Sequence, residues 1–301
     1  MLAFERILCP SDFSPYARRA LAISLSLTRR AGAALRALHV VSPVQPRMRR
    51  GIACPAPVLV SEDRERLLED LERFTEPARA RGLQTEVAVG YGDVADAIVE
   101  EARNWPADVV VMGTRGVCAP NGWAVGSVTD GVLRRTSCPV LAVPRSAPEA
   151  EEKPVSAFRR ILCPIDFSEP CLKALGYAIE LTRQSGGQLT LLHIVEWFPE
   201  EQARLDLPLV VPEYHLDLTQ QTRERMRRAV PLDALQGCDH EELVATGRPY
   251  RAILRVCRER QADLIVLGIH GRRAIDRVLA GTTVCHVIRE AGCPILAVRP
   301  G

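Results

Sequence analysis

The sequence predicts an α/β chain made of two tandem doubly wound parallel sheets, each of five strands. Two observations carry this. First, the chain repeats itself. Residues 6–14, Arg-Ile-Leu-Cys-Pro-Ser-Asp-Phe-Ser, return at 160–168 as Arg-Ile-Leu-Cys-Pro-Ile-Asp-Phe-Ser, 154 positions later. Leu-His-Val-Val at 38–41 returns as Leu-His-Ile-Val at 192–195 with the same offset. The blocks at 108–113 and 137–143 return at 263–268 and 292–298, 155 positions later. Four blocks in one order at a nearly constant offset mark a duplicated domain of roughly 145 residues, a common domain size. Second, each copy alternates short β-rich runs with helical stretches. That alternation implies right-handed β-α-β crossovers and therefore a parallel sheet.

In the first copy the strand runs are 4–10, 34–41, 84–90, 108–113 and 139–144. Several are apolar almost throughout, as strands covered on both faces require. Ser14 is placed to cap the first helix, with Pro15 at its first position. Ala17, Ala20, Leu21, Ser24, Leu25 and Thr28 fall on one helical stripe, and Gly32 follows its end. Ser61 is placed to cap a second helix running toward Arg81, with Gly82 as its stop, and Asp93 to cap a third. The expected boundaries are a first domain at 1–145, a linker at 146–157 and a second domain at 158–301. The linker stretch is rich in Pro, Glu, Ser and Ala with no apolar period, as in an exposed tether. Five strands per copy suggest a flavodoxin-like or Rossmann-like sheet.

The totals exclude several classes. The chain has 301 residues, 47% hydrophobic and 25% charged, the mix of a folded protein. Its formal net charge of +2 gives no whole-molecule attraction to nucleic acid or anionic membrane. Basic clusters stand at Arg47–Arg50 and Arg223–Arg228, but no aromatic residues interleave with them, so nucleic acid is an unfavoured partner. No apolar run approaches the ~20 residues of a membrane span. The start lacks the pattern of a signal peptide, so the expected location is the cytoplasm. Ten cysteines are present, with no Cys-x-x-Cys pair and no Cys/His cluster at zinc spacing. Most are expected to be buried small hydrophobes in a reducing compartment rather than disulfides, with Cys54 and Cys118 in loop-like stretches.

In doubly wound sheets ligands bind beyond the carboxyl ends of the strands, where strand order reverses. Three features meet at those ends. Pro10-Ser11-Asp12 follows the first strand, and Pro164-Ile165-Asp166 is its duplicate. Such an acid can accept from ribose hydroxyls or an adenine amino group, and equally can cap the following helix. His39-Val40 and His193-Ile194 end the second strand; the histidines read as satisfied core residues, and the aliphatic residues can pack against a base or in the core. The third feature is a glycine loop. Gly113-Thr114-Arg115-Gly116 is followed, nine residues on, by Gly126-Ser127; Gly268-Ile269-His270-Gly271 is followed, nine residues on, by Gly281-Thr282. Glycine lets backbone N–H groups approach a phosphate, and a helix start offers free N–H groups and a positive dipole end. The ordinary alternative is that these glycines only make tight turns.

Taken together, these blocks resemble the universal stress protein family, whose G-x2-G-x9-G-[S/T] pattern both copies satisfy, along with Pro-x-Asp, Leu-His-Val and a closing Cys-Pro-Val-Leu-Ala-Val. The resemblance covers nearly the whole chain except the linker and the loops near 42–60 and 196–215. It implies strand order 3-2-1-4-5 and ATP as ligand, with Mg²⁺ held mainly by the phosphates. Adenine and ribose would lie near Pro10, Asp12 and Val40 in one copy, and near Pro164, Asp166 and Ile194 in the other. Phosphates would lie on Gly113, Arg115, Gly116, Gly126, Ser127, Val128 and Thr129, and on Gly268, His270, Gly271, Arg272, Gly281, Thr282 and Thr283. It also implies pairing of the fifth strands, a pseudo-dimer within the chain, with a homodimer as a further option.

Each copy departs from the family pattern. After Gly116 the first copy has Val-Cys-Ala-Pro-Asn-Gly-Trp where the family usually has basic residues. The second keeps Arg272, Arg273 and Arg277 but has Val284 where the first has Thr129. On charge, the second copy is the better phosphate site. The loop 42–60 carries four prolines, and the matching loop carries Trp197 and Phe198, which can shield an adenine, contact a partner or pack beneath the loop. Three functions compete: an ATP-binding stress regulator whose occupancy alters contacts with unknown protein partners, a nucleotide-free interaction scaffold, and a slow ATPase. There is no G-x-x-x-x-G-K-[ST] loop, no Ser-Gly-Gly-x-Asp-Ser loop and no His-Ile-Gly-His, and no catalytic residues or metal ligands are assigned.

Overall fold

The computed structural model describes residues 4–42, 61–114, 126–144, 158–196, 212–230, 232–269 and 282–299. The chain divides into two compact units, Ala3–Val155 and Ser156–Gly301. The expected linker at 146–157 lies outside the described residues, as do the loops carrying the four prolines, Trp197 and Phe198.

The N-terminal unit runs β1 (Arg6–Pro10), α1 (Pro15–Ala31), β2 (Ala34–Val41), α2 (Ser61–Arg79), β3 (Thr85–Tyr91), α3 (Val94–Asn104), β4 (Val109–Gly113), α4 (Ser127–Arg135) and β5 (Val140–Val143). All pairings are parallel: β1 with β2 and β4, β2 with β3, and β4 with β5. The order is therefore β3-β2-β1-β4-β5. Strands β4 and β5 are buried along their length, apart from Gly113. Helices α1 and α2 pack on one face, while α3 and α4 pack against each other on the other, which is why the strands read as continuous apolar runs. Ile7, Leu8, Leu35 and Leu38 are fully buried between these layers, each worth about 1.5–3 kcal/mol of burial.

The helix signals act as physical chemistry requires. Ser14 Oγ accepts from Ala17 N–H at 3.2 Å, and Gly32 leaves α1 with φ of 63°. The buried stripe is Ala17, Ala20, Leu21, Ile23, Ser24 and Thr28, so Ile23 stands where Leu25 was expected. Its hydroxyls are satisfied within the helix: Ser24 Oγ donates to Ala20 O and Thr28 Oγ1 to Ser24 O. Asp93 caps α3, accepting from Ala95 and Asp96 N–H. Helix α2 begins at Ser61 itself and stops at Arg79, short of Arg81; Gly82, with φ of 70°, turns the chain as expected, and Leu83 N–H donates back to Ala78 O at 3.1 Å.

The C-terminal unit repeats this as β6 (Arg160–Pro164), α5 (Glu169–Ser185), β7 (Gln188–Val195), α6 (Pro212–Ala229), a short α7 (Leu232–Leu235), β8 (Asp239–Thr246), α8 (Pro249–Glu259), β9 (Leu264–Gly268), α9 (Thr282–Glu290) and β10 (Ile295–Val298). Its parallel order is β8-β7-β6-β9-β10. Among the described residues no helix is long and apolar enough to cross a membrane.

Candidate functional site

In each unit the strand order reverses between the first and fourth strands, so the ligand edge lies beyond Pro10 and Gly113, and beyond Pro164 and Gly268. An aspartate of structural rather than chemical role pins the opposite edge. Asp108 Oδ2 accepts from the N–H groups of Glu5 and Arg6 at 2.9 and 2.8 Å, and Asp263 accepts from those of Arg159 and Arg160 at 2.9 and 3.0 Å. The sequence marked this duplicated Asp only as part of a block; its place one residue before an apolar strand was the available signal.

The turn after the first strand has the same frame in both units, with a bond from Phe13 N–H to Ser11 Oγ added in the first. Asp12 Oδ1 accepts from Ser14 N–H at 3.1 Å, and Asp166 Oδ1 from Ser168 N–H at 2.9 Å. The intervening Phe13 and Phe167 adopt φ of 60° and 66°, unusual for a residue with a Cβ. The His39 ring stacks on Phe13 and the His193 ring lies tilted against Phe167, with centroids 4.9 and 4.7 Å apart. Nδ1 of His39 lies 2.8 Å from Ser11 O, and Nδ1 of His193 lies 2.8 Å from Ile165 O, so each ring nitrogen facing the carbonyl carries the proton and donates. The histidines are thus satisfied residues that brace the turn. Burial, chiefly, holds the His193 imidazolium below its ordinary range. Both aspartates remain exposed at the edge.

Val40 and Ile194 are half-buried near the ends of β2 and β7, opposite Gly90 and Ala245 of the neighbouring strand. A Cβ at Gly90 would lie 3.4 Å from Val40 Cγ2, so Gly90 keeps that side chain's flank open.

At the end of β4, the structure ties the two ends of the glycine loop together. Gly126 N–H donates to Thr114 O at 2.9 Å, and Thr129 Oγ1 donates to Gly113 O at 2.9 Å. The Thr129 hydroxyl, expected near phosphate, is thus turned inward, and its residue is 2% exposed. Glycine supplies no side chain to cap α4, whose first backbone bond is Asp130 N–H to Gly126 O at 3.0 Å. The first-turn N–H groups of Ser127, Val128 and Thr129 precede that bond, and Ser127 is exposed. This edge therefore offers a helix N-terminus and a hydroxyl after one strand and an exposed carboxylate after the neighbouring strand, donors suited to an anion and an acceptor suited to a hydroxyl.

Gly268 has a different reason to be glycine. A Cβ there would lie 2.5 Å from Cys171 N and from Pro170 C, inside the backbone of α5. The same closeness brings the Asp166 turn and the end of β9 onto one edge. Arg225 of α6, itself exposed, lies over the Phe167 ring, 4.4 Å from its centroid, and adds a cation to that edge. Thr283 is half-buried, and Val284, in place of Thr129, is buried and cannot make the bond to the strand end. Arg115, Gly116, His270, Gly271, Arg272, Gly281 and the Thr282 side chain lie outside the described residues. Among those described, no group of three or more His, Cys, Asp or Glu could hold a metal ion.

Comparison with known proteins agrees with this architecture. The universal stress protein family model matches twice, over residues 3–144 and 157–299. A universal stress protein of Mycolicibacterium smegmatis is 24% identical over 278 residues, spanning 87% of this chain and 86% of the relative. Another, from Thermus aquaticus, is 33% identical over 143 residues, 47% of this chain and 99% of the relative. The crystal structure of a universal stress protein from Archaeoglobus fulgidus covers 99% of both chains at 22% identity with a TM-score of 0.72, a likeness of fold. With two family matches accounting for nearly all of its length, the chain belongs to the universal stress protein family.

Proposed function

We propose that the chain is an adenine-nucleotide-binding regulator in which ATP occupies the carboxyl edge of one or both units and alters contacts with protein partners. The single observation that carries this is the N-terminal unit's edge: the uncapped start of α4, with Ser127 exposed, follows the end of the strand next to the one that leads to Asp12. The phosphates would lie on the first-turn N–H groups of α4, with Gly113, Arg115, Gly116 and Gly126 shaping the loop, and the ribose on Asp12 with Val40 against the base. The corresponding groups in the C-terminal unit are Asp166, Ile194, Gly268, His270, Gly271, Arg272, Gly281, Thr282 and Thr283. Mg²⁺ would be held through the phosphates. The stretch 146–157 would act as the tether between the units.

A nucleotide-free scaffold is the competing reading. Its support is that Gly126 N–H and the Thr129 hydroxyl are already satisfied within the protein. The two separate on nucleotide content. Protein purified without added nucleotide, denatured and run on an anion-exchange column, releases adenine nucleotide near one or two equivalents under the first reading. No released nucleotide, and no binding of added Mg·ATP, leaves the scaffold.

A further inference from the structure

Away from the strand ends, the C-terminal unit contains a sulfur pair that the nucleotide reading does not use. Cys257 lies in the last turn of α8, and Cys293 stands two residues before β10. Their Sγ atoms are 3.6 Å apart, and each residue is only 6% exposed. The duplicate positions in the N-terminal unit are Ala102 and Cys138, so the pair belongs to the C-terminal unit alone. We propose that Cys257 and Cys293 are a modification site: a dithiol that a hydroperoxide converts to a reversible intramolecular disulfide linking α8 to the segment entering β10.

The geometry needs little rearrangement. A disulfide bond is about 2.05 Å, so the sulfurs must close by roughly 1.5 Å in total. The environment gives the two thiols different parts. The S–H donated by Cys293, and after it the Arg258 cation, hold the Cys257 thiol below its ordinary value against the opposing effect of burial. Cys293, as the donor and as a buried group, is pushed up. The Asp263 carboxylate opposes thiolate formation at both, and the Ala262 carbonyl, 4.0 Å from Cys257 Sγ, receives the Cys257 S–H in the resting dithiol. Cys257 is therefore the attacking thiol and Cys293 the resolving one. Cys9, by contrast, is pushed up to about 12 by burial.

The Cys257 thiolate attacks one oxygen of the peroxide, the O–O bond breaks, and the departing hydroxide or alkoxide takes a proton, leaving a sulfenic acid. The Cys293 sulfur attacks that sulfur, the S–O bond breaks, and hydroxide leaves as water with the Cys293 proton. Two electrons pass from the thiols to the peroxide, and a small thiol reverses the bond by exchange.

The test uses the full chain, treated with hydrogen peroxide at neutral pH, alkylated with a maleimide under denaturing conditions and digested with trypsin without reductant. Cleavage after Arg255, Arg258 and Arg289 frees a tripeptide holding Cys257 and a C-terminal peptide holding Cys293. The expected product is these two joined, carrying most of the Cys257 and released by dithiothreitol. In Cys293→Ser, which keeps a donor to Cys257 but no resolving thiol, Cys257 accumulates instead as a sulfenic acid trapped by dimedone. In Cys257→Ala, which installs the N-terminal unit's own residue, Cys293 stays reduced. The proposal is overturned if both cysteines are recovered as maleimide adducts at a peroxide dose that converts free glutathione to its disulfide. Linkage of Cys257 to any other cysteine also overturns it.

Discussion

The two units solve the same backbone problems with the same residues and differ in the side chains packed around them. Both turn the chain after the first strand with an Asp accepting from the Ser two residues on, a Phe in the left-handed region and a His that donates to the turn's carbonyl. Both tie the far edge with Asp108 or Asp263. The lining of the carboxyl edge diverges: Phe74 meets the Phe13 ring edge-on in one unit, and Arg225 covers Phe167 in the other. The helices behind the sheet diverge in concert. A Cβ at Gly131 would lie 2.8 Å from Ala95 Cβ, while the duplicate positions hold Tyr250 and His286, stacked at 4.3 Å. Duplication has kept what satisfies buried backbone groups and released what only fills space or carries charge.

The largest effect is expected where a glycine of the C-terminal unit meets helix backbone. Gly268→Ala drives a Cβ into the α5 backbone, which cannot swing away as a side chain can. It should cost about 3 kcal/mol or more, read as early loss of amide protection confined to the C-terminal unit. Gly176→Ala, inside α5 with nothing within 4 Å of the new Cβ, should move the other way, stabilising by about 0.5–1 kcal/mol. If the two variants behave alike, the close approach at Gly268 does not govern this edge.

A smaller contrast lies in the caps. Ser14 caps α1, whereas Ser168 makes no capping bond to α5. Ser14→Ala should cost about 1 kcal/mol in urea unfolding and Ser168→Ala close to nothing; equal costs would remove the distinction.

The smallest effect is in pH. Because the folded state lowers the His193 pKa, the unfolded chain binds more protons below about 6.5. The C-terminal unit's stability from this residue is fully present above that pH and falls as pH drops through 6.5 toward the lowered value. His193→Asn keeps an N–H for Ile165 O and should lose that part of the acid sensitivity, measured as the difference in urea midpoint between pH 7.5 and 5.5.

Much of this was legible in the sequence, for identifiable reasons. The duplicated blocks are the first, fourth and fifth strands and the end of the second, whose buried faces admit few residues; expected and observed bounds agree within two residues, and Ala34–Val41 agrees at both ends. Ser14, Asp93 and Gly32 were readable because caps act through local spacing. The site was less so. Whether Asp12 caps or binds depends on which of its oxygens faces the turn, and a motif does not state that. The inward Thr129 hydroxyl, the backbone behind Gly268 and Arg225 over Phe167 join segments 16 to nearly 100 residues apart, so only the folded chain displays them.

The central claim is that these edges bind adenine nucleotide, more tightly in the unit with the basic loop. Calorimetric titration of Mg·ATP into the wild-type chain tests it beside two variants: Arg272, Arg273 and Arg277 all changed to Ala, and Ser127→Ala. Charge-assisted bonds to phosphate are worth about 1.5–3 kcal/mol each, so the triple change should weaken the tighter site at least about tenfold, while Ser127→Ala touches only the weaker one. Equal affinities in the wild type and the triple variant would contradict the ranking, and absence of any saturable heat would contradict the account itself.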